Sequence, residues 1–451
     1  MIVIQPSMHT RVNSIMSNEA KKSSPASISK ANVTSNSDPS KVASLVNGII
    51  RLTYHESILQ DSIKAYIVYG DVGNAIDGKS VIEGLPLVGT EDFKLEFKDN
   101  NDEKIKVDMT VNNVVPLYED GSKNVISMEL VSEEYIRNEM GESRCRTREN
   151  GKVEEHVKKI FKDRLKSKKT LDIEETSNEY NFVGGGRKPF YMLNLLSKQG
   201  IPMDGDGNSA GFLFFETADG FNFKSIEGLF KQEKKKSYIF NNTPDGIKGI
   251  PAGYDGKILD HQSDSSVNIQ AKMSMGAYKT KIVLFDTYNC KYLVEEQTAE
   301  QVKKKVKLAG KDLPKFNKKF DTPQHDFTRT TLYVVDSGTL PSGDTEKQIE
   351  NNTLDNFKAI KTLNQSIRRY NQLFSGMMEI TIAGDFSLHA GDVIFVDIFS
   401  VSAAKDDSLN KESGGLYIIA DLCHYVNSEG TYTKLNLARD SFGRKGNHSK
   451  R

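Results

Sequence analysis

The chain has 451 residues, enough for two to four domains that each bury a core. Its 61 basic residues balance 61 acidic ones, which argues against a protein whose main task is to grip a nucleic-acid backbone. Cys145, Cys290 and Cys423 are far apart and lack metal-ligand spacing, so a disulfide scaffold or structural zinc is not expected and packed or idle thiols of a reducing cytosol are.

The first thirty residues lack the apolar core of a signal peptide, and no run approaches the ~20 apolar residues that span a bilayer. The chain is therefore expected to be made in a cytoplasm and to carry no stable membrane anchor. Residues 1–43 are rich in Ser, Asn and Lys without a period, and read as a disordered N-terminal arm. Residues 44–140 change to a period of two. Ile63, Ala65, Ile67 and Tyr69 alternate with more polar neighbours, as do Phe93, Leu95 and Phe97. The same holds for Ile105, Val107, Met109 and Val111, and for Ile126, Met128 and Leu130. That pattern predicts antiparallel strands with one buried face, closed into a sandwich or barrel.

Residues 141–210 read as a mixed helical domain. A stripe of Val153, Val157, Ile160, Phe161 and Leu165 predicts a helix over Lys152–Lys166. Lys188–Gly200 predicts another, with Pro189 in its first turn and Gly200 as its stop. Residues 211–239 open with Gly211–Thr217 and Phe221–Ser225, strands joined by a turn at Asp219-Gly220. In residues 240–375, Ile282–Phe285 and Thr331–Val335 read as strands and 354–374 as the longest helix. Residues 376–442 hold four strands: Glu379–Ala383, Val393–Val396, Leu416–Leu422 and Thr431–Leu437. Residues 443–451 form a short basic tail.

Several motifs invite chemistry. Gly184-Gly185-Gly186-Arg187-Lys188 lacks Walker spacing, so a lead-in to a helix is the better reading. Asp204-Gly205-Asp206-Gly207-Asn208 begins like a calcium loop but places Ser209 and Phe215 where the pattern needs Gly and Glu; a turn is favoured. Cys423 and His424 are adjacent on a strand and point to opposite faces, which suits neither a shared metal nor a nucleophile–base pair. His389 lies in the turn Leu388–Asp392. Lys231–Lys236 and Lys303–Lys307 read as solvated faces. No catalytic, cofactor-binding or metal-binding residue is assigned, no cofactor is expected, and the chain reads as a non-enzyme.

Three segments resemble the central baseplate hub of contractile-tailed, T-even-like phages, a family related to tail tubes and to the hub of type VI secretion spikes. They are Tyr54-His55-Glu56-Ser57-Ile58-Leu59 with the strands after it; Asn178–Phe223, including Arg187-Lys188-Pro189-Phe190 and Gly211–Thr217; and Met378–Asp440. The resemblance implies a mixed, mainly β (α+β) fold with two tail-tube-like antiparallel β-barrels and helical and mixed insertions. Residues 44–140 would form the first barrel, and 211–239 with 376–442 the second, split by the insertion 240–375 with its helix 354–374. It further implies a structural role in the virion, in the tail baseplate, after assembly in the host cytoplasm. As a homotrimer the hub would join the tail-tube protein to a trimeric, membrane-piercing spike protein, touch neighbouring baseplate proteins and initiate tube assembly. DNA would pass its lumen without specific binding during ejection. Two alternatives stay open: a tail-tip peptidoglycan hydrolase, and the hub portion of a contractile secretion spike.

Overall fold

The computed structural model describes residues 25–73, 76, 78–120, 123–204, 209–240, 250, 253–263, 269–286, 290–298, 308–313, 317, 319, 329–334, 344–399, 409–410 and 413–446. Mainly β structure runs through these residues, in two bodies that share a strand.

The first body contains β1 (Ser27–Thr34), β2 (Val42–Ser44), β3 (Ile49–Ser57), β4 (Lys64–Asp71), β5 (Asp92–Lys98), β6 (Lys104–Asp120) and β7 (Lys123–Val131). They lie in the order β3-β4-β7-β6-β5-β1-β2, all antiparallel. The alternation seen in the sequence sets the register: Phe93, Leu95 and Phe97 face Met109, Val107 and Ile105 across β5 and β6. Their side chains, with Leu52, Tyr54 and Ile67, fill one core. Strands β1 and β2 correct the reading of residues 1–43 as a disordered arm. Asn32–Thr34 pair with Val42–Ser44, and β1 runs along β5. Composition misled here because an edge strand needs apolar residues on one face only: Ala31, Val33 and Ala43 are buried while Ser and Lys neighbours face water. Residues 1–24 lie outside the described residues.

A middle layer follows. It holds β8 (Arg148–Glu149), β9 (Leu171–Ile173), β10 (Phe182–Val183), β11 (Phe212–Thr217) and β12 (Gly220–Ser225). The expected helices are present as Val153–Lys159, running into a π turn at Ile160–Arg164, and Pro189–Gln199. The hairpin β11–β12 pairs with β9 in its own three-stranded sheet. This corrects the assignment of Gly211–Ser225 to the second barrel. The hairpin is apolar on both faces: Phe212, Phe214, Phe221 and Phe223 pack on the helices, and Leu213 and Phe215 on the barrel side. It covers the second barrel face-on and contributes no edge to it.

The second body is a closed six-stranded barrel of β13 (Lys236–Phe240), β14 (Gly256–Ser263), β18 (Gly376–Ala383), β19 (Val393–Ile398), β20 (Gly415–Asn427) and β21 (Thr431–Arg439). The order is β19-β13-β14-β18-β21-β20, with β20 returning to β19. Here the antiparallel expectation fails at one strand: β13 pairs parallel with both neighbours. Closure leaves the barrel itself no open edge. Between β14 and β18 the described residues of the insertion form a helix, Ile269–Met275, three strands and a long helix, Thr345–Leu373. The strands are β15 (Lys279–Asp286), β16 (Lys291–Thr298) and β17 (Arg329–Val334), in the order β16-β15-β17. Ile282 and Leu284 pack on Ile360 and Leu363 of the long helix, whereas Tyr292, Val294, Leu332 and Val334 on the far face are exposed.

β20 joins the two bodies. Gly415–Ile418 pair with β19 and close the barrel; Asp421–Asn427 pair with Arg51–Ser57 of β3. The register against β21 slips between Ile419 and Asp421, and the Ala420 carbonyl accepts the Ile58 N–H at 2.9 Å. A bulge therefore sits where the strand leaves one body for the other, as bulges do where a strand must bend.

The bodies also share a core. Phe386, from the β18–β19 connection, enters the first core, its ring centroid 4.9 Å from that of Phe97 and 4.6 Å from that of His424. Its N–H donates to Asp99 at 2.9 Å. Phe97→Ala should therefore cost about 3–5 kcal/mol, read as a lower urea midpoint for the first body and for the barrel in one transition. Two separate transitions would show that the bodies fold independently.

Candidate functional site at the junction of the two bodies

The site grows from one carboxylate. Leu52, Tyr54 and Glu56 share a face of β3, so alternation carries Glu56 to a core position. Its side chain is fully buried. A buried carboxylate persists only when its oxygens are satisfied. Four donors do this: the Tyr54 hydroxyl (2.9 Å), the Ala218 N–H (2.8 Å), the Ala390 N–H (2.9 Å) and His389 Nδ1 (3.1 Å). The donors come from β3, from the β11–β12 turn and from the turn before β19, so one side chain ties all three layers.

His389 is held in turn. Its N–H donates to Asp392 Oδ2 at 2.7 Å, within a turn whose Gly391 has φ +89°. A Cβ at Gly391 would come within 2.8 Å of Phe215, so a side chain there meets both strain and a clash. The ring's other nitrogen, Nε2, lies 3.6 Å from Asp219 Oδ2. Burial alone would push the imidazole down, but the hydrogen bond and charge of Glu56, with Asp219, raise it above its ordinary value against opposition from Lys235. Burial alone would push the Glu56 carboxyl up; His389 and the Ala390 and Ala218 amides outweigh it and hold it low.

A second buried cluster lies close by in the chain. Glu216 of β11 shares the core face of Phe212 and Phe214 and is fully buried. It accepts from the Ile63 N–H at 3.0 Å, from the Ser132 hydroxyl and from Lys169 Nζ at 2.6 Å. Lys169 also reaches Glu134 at 2.8 Å. Burial, with the neighbouring Glu134 charge, keeps the Glu216 carboxyl above its ordinary value even though Lys169 pulls it down. Further along, Arg369 of the long helix donates to Glu227 (2.8 Å) and to Asp440 (3.0 Å) at the end of β21. The insertion is thus pinned to the barrel.

Beside Glu56 opens a cleft of about 540 Å³, lined in part by Asp172, Asp219, Lys224, Lys235, His389 and Asp392. Four of its charges are paired across elements: Lys224 with Asp172 at 2.5 Å and Lys235 with Asp392 at 2.8 Å. His389, the one histidine the sequence placed in a turn of interest, is thus a bridge between carboxylates at a joint, a positioning arrangement.

The other candidates fall as follows. Gly185 and Gly186 form a left-handed turn leading into the helix at Pro189, with Cys145 and Arg187 bridged across it. Residues 205–208 of the calcium-like run and Lys303–Lys307 lie outside the described residues. Lys231 and Lys235 are exposed, as a solvated face requires, but Lys236 departs from that reading of Lys231–Lys236, since it donates to Asp385 at 2.7 Å with its side chain mostly covered. Cys423 and His424 point apart as expected. Cys423 Sγ lies 3.9 Å from His55, while His424 is buried against Thr433, Tyr54 and Phe386, and burial drives its pKa down to about 3. Arg444 of the basic tail is fixed on Asp397 by two hydrogen bonds of 2.9 Å. Glu56 and Glu216 escaped notice in the sequence, although one signal was present: each is a carboxylate on the apolar parity of its strand.

Sequence comparison finds no matching family and no matching curated relative. Solved structures similar to the chain include tail proteins and a secretion component. The 43 kDa tail protein of prophage MuSo2 from Shewanella oneidensis is 12% identical, over 91% of this chain and 98% of that one, with a TM-score of 0.49. A tail protein from Neisseria meningitidis is 10% identical, over 91% and 96%, with a TM-score of 0.47. A component of the E. coli type VI secretion system, itself described as similar to phage T4 tail proteins, is 10% identical, over 90% and 77%, with a TM-score of 0.41.

Lys169→Met leaves Glu216 buried without its counter-charge and should lower the unfolding free energy by about 3–5 kcal/mol. Adding Glu216→Gln should recover part of that loss. Urea denaturation of both variants at one pH checks this; a neutral Lys169→Met would mean that Glu216 is already neutral in the folded protein.

Proposed function

We propose that this chain is the structural hub at the tip of a contractile tail, the piece that joins the tail tube to the spike. The observation that carries the reading is the pairing of a closed six-stranded barrel with a second antiparallel sheet through one strand, β20. Two β bodies in one chain let three copies present six comparable units to a sixfold tube, and one chain to each subunit of a threefold spike. Of the segments that resemble a hub in the sequence, Tyr54–Leu59 overlaps the end of β3 and Met378–Asp440 contains β20, the two strands that pair at that joint.

Exposed apolar surface supports assembly with other chains. Beyond Val111, β6 pairs with β7 alone among the described strands, and this overhang exposes Val115, Leu117 and Tyr118. The far face of the β16-β15-β17 sheet adds Tyr292, Val294, Leu332 and Val334. In this reading the chain acts mechanically and is not an enzyme. It templates the first ring of tube subunits, holds the spike until contraction, and leaves a lumen for DNA. Virion tail residence, assembly in the host cytoplasm and contacts with neighbouring baseplate proteins belong to the same proposal.

Light scattering on the chain mixed with its spike protein tests the reading. A complex of three hub chains with three spike chains is the expected mass. Leu117→Glu, on the overhanging hairpin, should keep the fold by circular dichroism and shift that complex toward monomer. A hub-to-spike ratio other than three to three, or a ring of six hub chains, overturns the proposal.

A further inference from the structure

The junction carries a titratable bridge that the hub reading does not use. We propose that His389 is a pH-sensitive latch between the two β bodies, closed when its imidazole is protonated and loosened when it is not.

The geometry makes the case. Both ring nitrogens face carboxylate oxygens, Nδ1 toward Glu56 at 3.1 Å and Nε2 toward Asp219 at 3.6 Å. A carboxylate only accepts hydrogen bonds, and only the imidazolium donates from both nitrogens. The neutral ring can serve one of these partners and must turn a lone pair toward the other. Glu56 belongs to the first body, Asp219 to the hairpin turn and His389 to the second body, so loss of the proton weakens contacts among all three. The titratable groups around the ring are Glu56 and Tyr54 from β3, Asp219 from the hairpin turn, Asp392 from its own turn, Lys235 from the segment before β13 and His424 from β20. Lys235 is paired with Asp392 at 2.8 Å, and burial keeps His424 neutral, which leaves Glu56 the dominant charge on the ring.

The sign follows from linkage. The folded His389 titrates above the ordinary histidine value. The latch therefore contributes fully below that value, and its contribution is lost as the pH rises through the folded one. Each unit by which the folded value exceeds the open one changes the opening equilibrium about tenfold. The amides of Ala218 and Ala390, which donate to Glu56, report opening directly.

Two measurements on the full chain test this. A ¹⁵N-imidazole titration should place His389 above the ordinary histidine range, with Asp219→Asn, on an exposed side chain, lowering its midpoint. Hydrogen exchange at Ala218 and Ala390, corrected for the pH dependence of intrinsic exchange, should show opening that grows about tenfold or more from below to above that midpoint. The growth should vanish in His389→Gln, which keeps one donor. His389 titrating at or below the ordinary range, or opening with the same pH dependence in wild type and His389→Gln, overturns the proposal. The outcome does not depend on the hub reading, since both readouts are taken on the isolated chain.

Discussion

A buried carboxylate at the meeting point of three layers is the constraint on which the rest of this structure depends. Glu56 lies in the core of the junction with its full charge to satisfy. Transferring such a group from water costs far more than any single hydrogen bond returns, so its donors must all be in place together. Those donors sit on β3, on the β11–β12 turn and on the turn before β19. Small relative movement of any layer leaves part of the carboxylate unpaired. The cost rises steeply with displacement, and that is what makes the joint stiff. Apolar contacts such as Phe386 in the first core supply attraction, but they tolerate sliding far better.

The shared strand sets where that carboxylate can be. β20 has 13 residues, long enough to serve two bodies in turn. Its first half closes the barrel on β19 and its second half continues the sheet into β3. The slip at Ala420 lets the strand bend between these tasks while its carbonyl still accepts the Ile58 N–H. Glu56 pairs in register with Leu422, two residues past that slip. The ionic joint and the backbone joint therefore coincide, and together they hold the orientation of the two halves.

Much of this fold was legible in the sequence, and its gaps have physical causes. Strands with clean alternation, such as Phe93–Phe97 and Thr431–Leu437, show themselves because one face is wet and one is dry. β1 and β2 hid in a polar stretch because an edge needs few apolar residues, and the partner that orders them, β5, is some sixty residues away. Phe212–Ser225 was recognisable as a hairpin but not as part of a separate sheet. A strand that is buried on both faces gives no alternation to say which layer owns it. The junction was harder still. His389 drew attention as a histidine in a turn, yet its partners Glu56 and Asp219 are 333 and 170 residues away in sequence, and no spacing rule reaches that far.

Ionic joints are a curious choice if stability alone is at stake, since a buried ion pair is often no better than a packed hydrophobic substitute. What they add is discrimination between arrangements: the correct docking pairs each buried charge with an opposite one, and a shifted one strands it in low dielectric. Among the described residues the device recurs, as at Glu56–His389, at Lys169–Glu216–Glu134 and at Arg369–Glu227–Asp440. Each cluster bridges elements that are remote in sequence and belong to different layers. The hydrophobic cores also cross layers, as Phe386 does in the first and Phe215 beside Val393 and Ile418 in another, whereas the ionic clusters fix the geometry in which the layers sit. Weak, non-directional packing between layers would absorb a push as sliding, whereas a set of buried charges with fixed donors passes it on.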